Sequence, residues 1–441
     1  MQTERLQPQF SLLRMTWPIF VELLLQMLVG NIDQIMLSRY NGTAVAAVGN
    51  ANQIMTTLIL TFSVISLAAT ILLSQYLGAR EQGKVQQIYT LAVGLNLILS
   101  FAITAGLLAG ADGLFALMRL PAEALPEARS YLRIAAVSLP CQAMMLTFSA
   151  FLRVIMFSTG CINLVNILGN TALIYGAGPL PRLGAAGAAL STSICRTLGM
   201  ALLMAAFFRS VQGARVDVRL LRPFPRDLFR RLLGIGLPAG GEGLSYNLSQ
   251  STSLVFVNMI GTYAVTARMY MNMFAQICYM LVSAVSQAAA ILIGYCIGAK
   301  DYEGADRQNW RVLRFSAPVT VGTALLLALF AEPLFGLFSS DPQVIALGRQ
   351  VMWVEVVLEV GRSLNIVLVR NLQAVGDVKY PVLLGVCSQW AVGVGLAYLL
   401  GVQLGWGLAG IWAAFALDEN LRGILFVLRW KRGKWRGIKT V

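Results

Sequence analysis

Apolar residues in this chain do not alternate with polar ones but come in long unbroken blocks, such as Leu91–Ala111. The strands of a membrane barrel alternate every second residue, so continuous blocks of this length read as helices that cross a membrane. Twelve are predicted, at 11–38, 46–76, 88–117, 130–152, 154–177, 184–208, 232–259, 263–297, 312–338, 345–371, 381–403 and 406–428. Mostly polar residues lead into the first block, and it runs past the length of a signal peptide without a small-residue cleavage site. It is therefore expected to remain as a span. Composition agrees. Of the 441 residues, 57% are hydrophobic and only 12% charged, against about a quarter charged in a soluble domain. The expected fold is an all-α polytopic membrane protein.

The net charge of +14 changes the picture only through its distribution. With a cytoplasmic N-terminus, and with residues near span ends counted on the side they adjoin, 24 of the 34 lysines and arginines fall on the termini and alternate connections of one side, 6 on the other, and 4 (Arg196, Arg268, Arg362 and Arg422) deep within spans. This is the bias of the positive-inside rule. The basic stretch 209–231 and the tail after span twelve then face anionic headgroups, and membrane lipid rather than nucleic acid is the expected partner of that charge. Both termini are expected in the cytoplasm, with the chain in the inner or plasma membrane.

The chemical inventory excludes most enzymes. There is no histidine, so imidazole relays, His-ligated metals and Ser/His or Cys/His nucleophile pairs are absent. The six cysteines lie in apolar stretches without a CxxC and read as small buried hydrophobes. No metal site and no organic cofactor is expected.

An internal repeat organises the chain. Pro18 returns as Pro238. Gly42-Thr43-Ala44-Val45 returns at Gly261-Thr262-Tyr263-Ala264-Val265. Gly78-Ala79-Arg80-Glu81 returns as Gly298-Ala299-Lys300-Asp301, and Gly184-Ala185-Ala186-Gly187 as Gly407-Leu408-Ala409-Gly410. Four echoes in one order, at offsets of 219 to 223 residues, predict two six-helix lobes. An even number of spans per repeat inserts both the same way round, so a pseudo-twofold axis runs along the membrane normal. The expected organisation is an N-lobe over 1–208, a basic cytoplasmic linker over 209–231 and a C-lobe over 232–441, with a central cleft.

Charges inside spans are costly and usually functional. Asp33 lies in the first span, and its repeat mate is Ser253. Asn163, Asn166 and Asn170 fall on one face of span five at i, i+3, i+7, and Thr192 and Arg196 sit one turn apart on span six. Removal from water disfavours the charged form of a carboxyl, so Asp33 among amides and hydroxyls is expected to load and unload one proton. The alternative is a hydrogen-bond knot tying spans one, five and six together. Glu355, Glu359 and Arg362 share a face of span ten and suit a structural ion pair. Asp418, Glu419 and Arg422 look similar. Glu242 follows Pro238 in a glycine-rich opening. Span eight carries Met269, Tyr270, Met271, Met273, Phe274, Tyr279 and Met280, soft and aromatic side chains suited to lipophilic cations or to plain packing.

The chain resembles the multidrug and toxic compound extrusion (MATE) transporters over essentially its whole length. The resemblance rests on Pro18 with Asp33-Gln34-Ile35-Met36, on Ala44-Val45-Ala46-Ala47-Val48-Gly49, on Gly78-Ala79-Arg80, on Asn166-Ile167-Leu168-Gly169-Asn170 and on Leu372-Gln373-Ala374-Val375-Gly376-Asp377. It implies export of organic cations and other amphipathic compounds in exchange for H⁺ or Na⁺. It implies that Asp33 is the coupling aspartate of the branch named after the DNA-damage-inducible protein F, that Asn170 and Thr192 are its partners, and that Pro18 is where the helix bends. Departures bear on the ion. Ile174 replaces an acid on span five, and the sodium-coupled NorM branch has acids in spans seven and ten, where the register places Tyr246 and Arg362 or, a turn away, Glu242 and Glu359.

The expectation is therefore a H⁺-coupled multidrug antiporter conferring drug resistance. A Na⁺-coupled antiporter of the same family or a lipid-linked oligosaccharide flippase is the alternative. Asp33, Asn166, Asn170 and Thr192 are the expected proton-coupling set, with Glu242, Glu359 and Arg362 as secondary candidates. Asp33, Gln34, Met36, Asn163, Met269, Met273 and Phe274 are expected to face the small-molecule drugs. The protein is expected to act as a monomer.

Overall fold

A computed structural model describes residues 12, 15–25, 27, 42–117, 125–154, 184–211 and 213–438. The elements are all helical among these residues, the one way a single chain segment can satisfy its own backbone in lipid. They are α1 (Met15–Leu25), α2 (Gly42–Gly78), α3 (Gln82–Leu117), α4 (Leu125–Val137), α5 (Leu139–Val154), α6 (Gly184–Ser210), α7 (Arg226–Ile260), α8 (Thr262–Gly298), α9 (Tyr302–Leu329), α10 (Ala331–Gly336), α11 (Pro342–Ala374), α12 (Lys379–Ser388) and α13 (Gly407–Lys431). After α12 the chain continues through two π-helical stretches, Gln389–Val394 and Ala397–Gln403. Six helices are long and apolar enough to cross a membrane, and a bent pair makes a seventh among the described residues. The long helices that fall short are α7, α11 and α13; α11 and α13 carry the polar cluster described below, and α7 lines the cavity beside it.

Contacts divide the chain into two compact units, one of Val21–Tyr76 and Glu81–Gly236, the other of Met1–Phe20, Leu77–Arg80 and Leu237–Val441. In the first, Tyr89, Phe148, Phe151 and Phe207 form an aromatic core, with Tyr89 4.8 Å from Phe151 and 4.9 Å from Phe207 between ring centres. Span four, expected as one helix over 130–152, is two: α4 and α5 meet at 48°. The cause is Pro140, which has no N–H and crowds the carbonyl four residues back. That carbonyl, of Ala136, accepts instead from Thr104 Oγ1 at 3.0 Å. The linker after α6 is pinned to α3, where Gln86 and Gln87 donate to the carbonyls of Gly213 and Leu220.

In the second unit Phe274, Phe335, Met352, Leu408 and Trp412 belong to a buried apolar core. Helices α11 and α13 approach so closely that a Cβ at Gly361 would come within 2.3 Å of the Asn420 nitrogen, and one at Gly423 within 3.0 Å of the Gly361 carbonyl. Small residues permit such approach in membranes.

The repeat is also written in the backbone. Arg80 and Lys300, equivalent by sequence, are the non-glycine residues with positive φ among those described, at 60° and 59°. Both end their helices with the same pair of bonds. Glu81 N donates to Tyr76 O and Arg80 N to Leu77 O; Asp301 N donates to Cys296 O and Lys300 N to Ile297 O. This is the Schellman closure, kept here at a cost of about 1–2 kcal/mol for a side chain in the left-handed region.

Candidate functional site

The densest polar chemistry among the described residues lies in the second unit, between α11 and α13. On α11, Glu355, Glu359 and Arg362 stand at i, i+4 and i+7, one face of a helix. Arg362 Nη1 donates to Glu355 Oε1 at 2.9 Å and also bonds Glu359. Trp412 of α13 donates its indole N–H to Glu355 Oε2 at 2.7 Å. Arg422 of α13 reaches Asp418 Oδ2 at 2.6 Å and Glu419 Oε1 at 3.0 Å. Asn365 donates to Glu419 Oε2 at 2.6 Å, and Ser388 donates to Asp418. Each guanidinium is thus held between two carboxyl groups, and all four acids are buried. Charges taken out of water need this pairing, since a buried ion without a partner costs several kcal/mol.

The pairing leaves a surplus of carboxyls, four against two guanidinium groups. One oxygen, Glu359 Oε2, has no hydrogen-bond partner among the described residues although Glu359 is 0% exposed. Beside the cluster is a small cavity of about 30 Å³, lined by Tyr246, Gln250, Arg362, Gln389, Glu419 and Arg422 among others. It is roomy enough for one or two waters. Tyr246 and Arg362, the residues weighed for the coupling ion, both line it. Glu242 lies against α12, where a Cβ at Gly385 would come within 2.9 Å of its Oε1.

Other expected site residues fall as follows. Asp33, Gln34, Met36, Asn163, Asn166 and Asn170 lie outside the described residues. Pro18 is inside α1, and Thr192 is half-buried on α6. One turn on, Arg196 Nη1 donates to Ser138 Oγ at 3.0 Å, at the α4–α5 bend. Met269 and Met273 are 66% and 41% exposed, whereas Phe274 is 3% exposed and packs 5.3 Å from Phe335; the seven soft side chains of span eight thus divide between an open face and the core. Glu22 pairs with Arg153 at 2.6 Å. Trp412, Ser388 and Asn365 were not readable as members of the cluster. Only Asn365 carried a signal, lying one turn after Arg362 on the same face.

The family model MatE matches residues 18–171 and 238–399, in both halves of the repeat. A Bacillus subtilis protein described as an uncharacterized transporter, YisQ, is 37% identical over 432 residues, covering 97% of this chain and 95% of its own. A probable multidrug resistance protein NorM of Thermotoga maritima is 26% identical over 441 residues, covering 96% and 92%. The fold matches that of an outward-facing multidrug resistance MATE family transporter of the MOP superfamily with a TM-score of 0.87, at 19% identity over 97% of this chain and 96% of that one. Matched across both repeats and along nearly its full length, this multi-pass membrane protein belongs to the MATE family of transporters and is a carrier rather than an enzyme.

Proposed function

We propose that the protein is a secondary active multidrug exporter of the cell membrane, with both termini cytoplasmic, that expels amphipathic and cationic compounds in exchange for H⁺. Protonation of Asp33 drives release, Asn166, Asn170 and Thr192 receive the altered side chain, and Pro18 supplies the bend. The multidrug part of the reading draws on relatives such as the Thermotoga maritima NorM. The choice of ion draws on one observation above all: the guanidinium groups of Arg362 and Arg422 line the cavity beside the acidic cluster. A fixed positive charge there opposes a bound Na⁺, while two carboxyls in excess of the arginines give the cluster capacity for protons. Glu359 and Glu242 are the secondary proton-carrying candidates. The carboxylates of Asp418 and Glu419 at the same cavity keep a Na⁺-coupled exchanger as the second reading.

The test is Asp33→Asn in proteoliposomes. Asparagine keeps the shape and hydrogen bonding but cannot cycle a charge, so the variant should insert and bind drug yet lose proton-driven efflux. Pro18→Ala should slow turnover while leaving the pH dependence of drug binding intact. Wild-type efflux by Asp33→Asn contradicts the coupling role.

A further inference from the structure

The basic tail after α13 does not stand free. Trp430, buried in the last turn of α13, donates its indole N–H to Asp306 Oδ1 of α9 at 2.8 Å. Trp435, in the short helical turn Lys434–Gly437, stacks on Trp430 with ring centres 4.6 Å apart and donates to the Trp430 carbonyl at 3.0 Å. Lys431 lies over the Trp310 ring of α9 at 5.6 Å. The end of α13 is thereby fastened to the start of α9, within one compact unit.

Both helices carry the same outward pattern. On α13, Leu417, Leu421, Ile424 and Leu428 are between 40% and 54% exposed and stand at i, i+4, i+7 and i+11, one face of a helix. That face continues into the exposed Lys431 and Arg432. On α9, the exposed Arg307, Arg311 and Arg314 share a face with Pro318, Leu325 and Leu329, which are exposed as well. Apolar faces left open on the helices of a membrane protein meet acyl chains, so the cations that end them stand at headgroup level. Arg314, the deepest, has a stem long enough to reach that level, and Trp310 beside it is a residue type that settles at the interface.

These cations lack protein counter-ions. Among the described residues, Arg311, Arg314, Lys431 and Arg432 form no ion pair. The acids at this end are engaged elsewhere: Asp306 accepts from Trp430, Asp377 pairs with Arg429 at 2.8 Å, and Glu303 faces Arg307 at 3.9 Å. A soluble anion would answer the charge alone. A lipid phosphate answers the charge and also the two apolar faces that lead to it.

We propose that this corner of α9 and α13 is a docking surface for the headgroup of an acidic phospholipid, with its acyl chains lying along the two apolar faces. It uses none of the residues that line the cavity beside the acidic cluster, and it holds whatever the exported compound and the coupling ion.

Native mass spectrometry of the full-length protein tests it, with release from micelles that contain equal amounts of phosphatidylglycerol and phosphatidylcholine of one chain length. Wild type should retain phosphatidylglycerol over phosphatidylcholine by about tenfold or more, at roughly fivefold for each surface cation engaged. Arg311→Gln, Arg314→Gln, Lys431→Gln and Arg432→Gln combined should lose that preference and keep the phosphatidylcholine adducts. Arg311→Lys with Arg314→Lys, which keeps the charge, should keep the preference. Removing as many exposed charges from the linker, by Arg209→Gln, Arg215→Gln, Arg219→Gln and Arg226→Gln combined, should leave it in place. Equal retention of the two lipids by wild type, or equal loss of preference in the two fourfold variants, overturns the inference. Displacement of the lipid by excess glycerol phosphate, which has the charge without the chains, would assign the cations to a soluble anion and overturn it as well.

Discussion

The fourth and tenth spans are repeat mates, yet they carry their polar groups in different ways. In the first repeat the span breaks at Ser138, and the polarity at the break is that of the backbone. The freed carbonyl of Ala136 is taken by the Thr104 hydroxyl, and that of Ile134 by Ser193 at 3.3 Å. In the second repeat α11 runs for 33 residues without a break, and the polarity is that of side chains, three charges matched by three more on α13. The contrast extends to the packing between helices. Tyr89 and Phe151 meet ring to ring, while their equivalents 220 residues on, Asn309 and Asn371, meet through a hydrogen bond of 2.7 Å that Asn371 Nδ2 donates to Asn309 Oδ1. At an offset of 223, Arg196 stands where the second repeat has Glu419. One scaffold thus hosts two kinds of interior. A carbonyl released by a bend is satisfied by one hydroxyl, but a buried carboxylate needs counter-charge, which each helix supplies to its own acids, while hydrogen bonds from Trp412 to Glu355 and from Asn365 to Glu419 tie α11 to α13.

The comparison can be broken first at the charges. Arg422→Met should lower stability by about 3–5 kcal/mol, because Asp418 and Glu419 lose their counter-charge, whereas Arg196→Met, whose described partner is a hydroxyl, should cost about 1–3 kcal/mol. Thermal unfolding in detergent measures both, and equal losses would erase the distinction. The packing pair comes next. Phe151→Ala should cost about 3–5 kcal/mol by opening a cavity, and Asn371→Ala about 1–3 kcal/mol by stranding Asn309; the reverse order would mean that the amide pair, not the aromatic core, is the stronger fastening. The smallest effect sharpens what the repeats share. Lys300→Gly should raise stability by about 1 kcal/mol by relieving the left-handed backbone, as should Arg80→Gly, read from the same melting curves.

Much of this was legible along the chain because membrane helices announce themselves in one dimension. The apolar blocks marked the spans, and spacings of three and four residues placed Glu355, Glu359 and Arg362, and Asp418, Glu419 and Arg422, on single faces. What lay between helices was not. Nothing in the spacing of Trp412 or Ser388 says that it reaches a carboxyl, because cross-helix partners depend on the approach that Gly361 and Gly423 allow. The break at Ser138 was within reach, since Pro140 stands in the sequence, but a proline inside an apolar block is compatible with an unbroken span, as Pro318 within α9 demonstrates. The π-helical stretches after α12 have no such marker and read as ordinary helix. The division of α8 into an open methionine face and a buried Phe274 depends on which neighbours cover it, and seven soft residues in one helix do not tell them apart.

Export driven by a proton gradient, as proposed above, is tested by efflux of a cationic dye from proteoliposomes holding the wild-type protein, under an imposed pH gradient, with sodium absent from both sides. The expected result is efflux that follows the gradient, runs undiminished without sodium, and stops when the gradient is collapsed. Efflux that ceases on withdrawal of sodium at an unchanged pH gradient would contradict it.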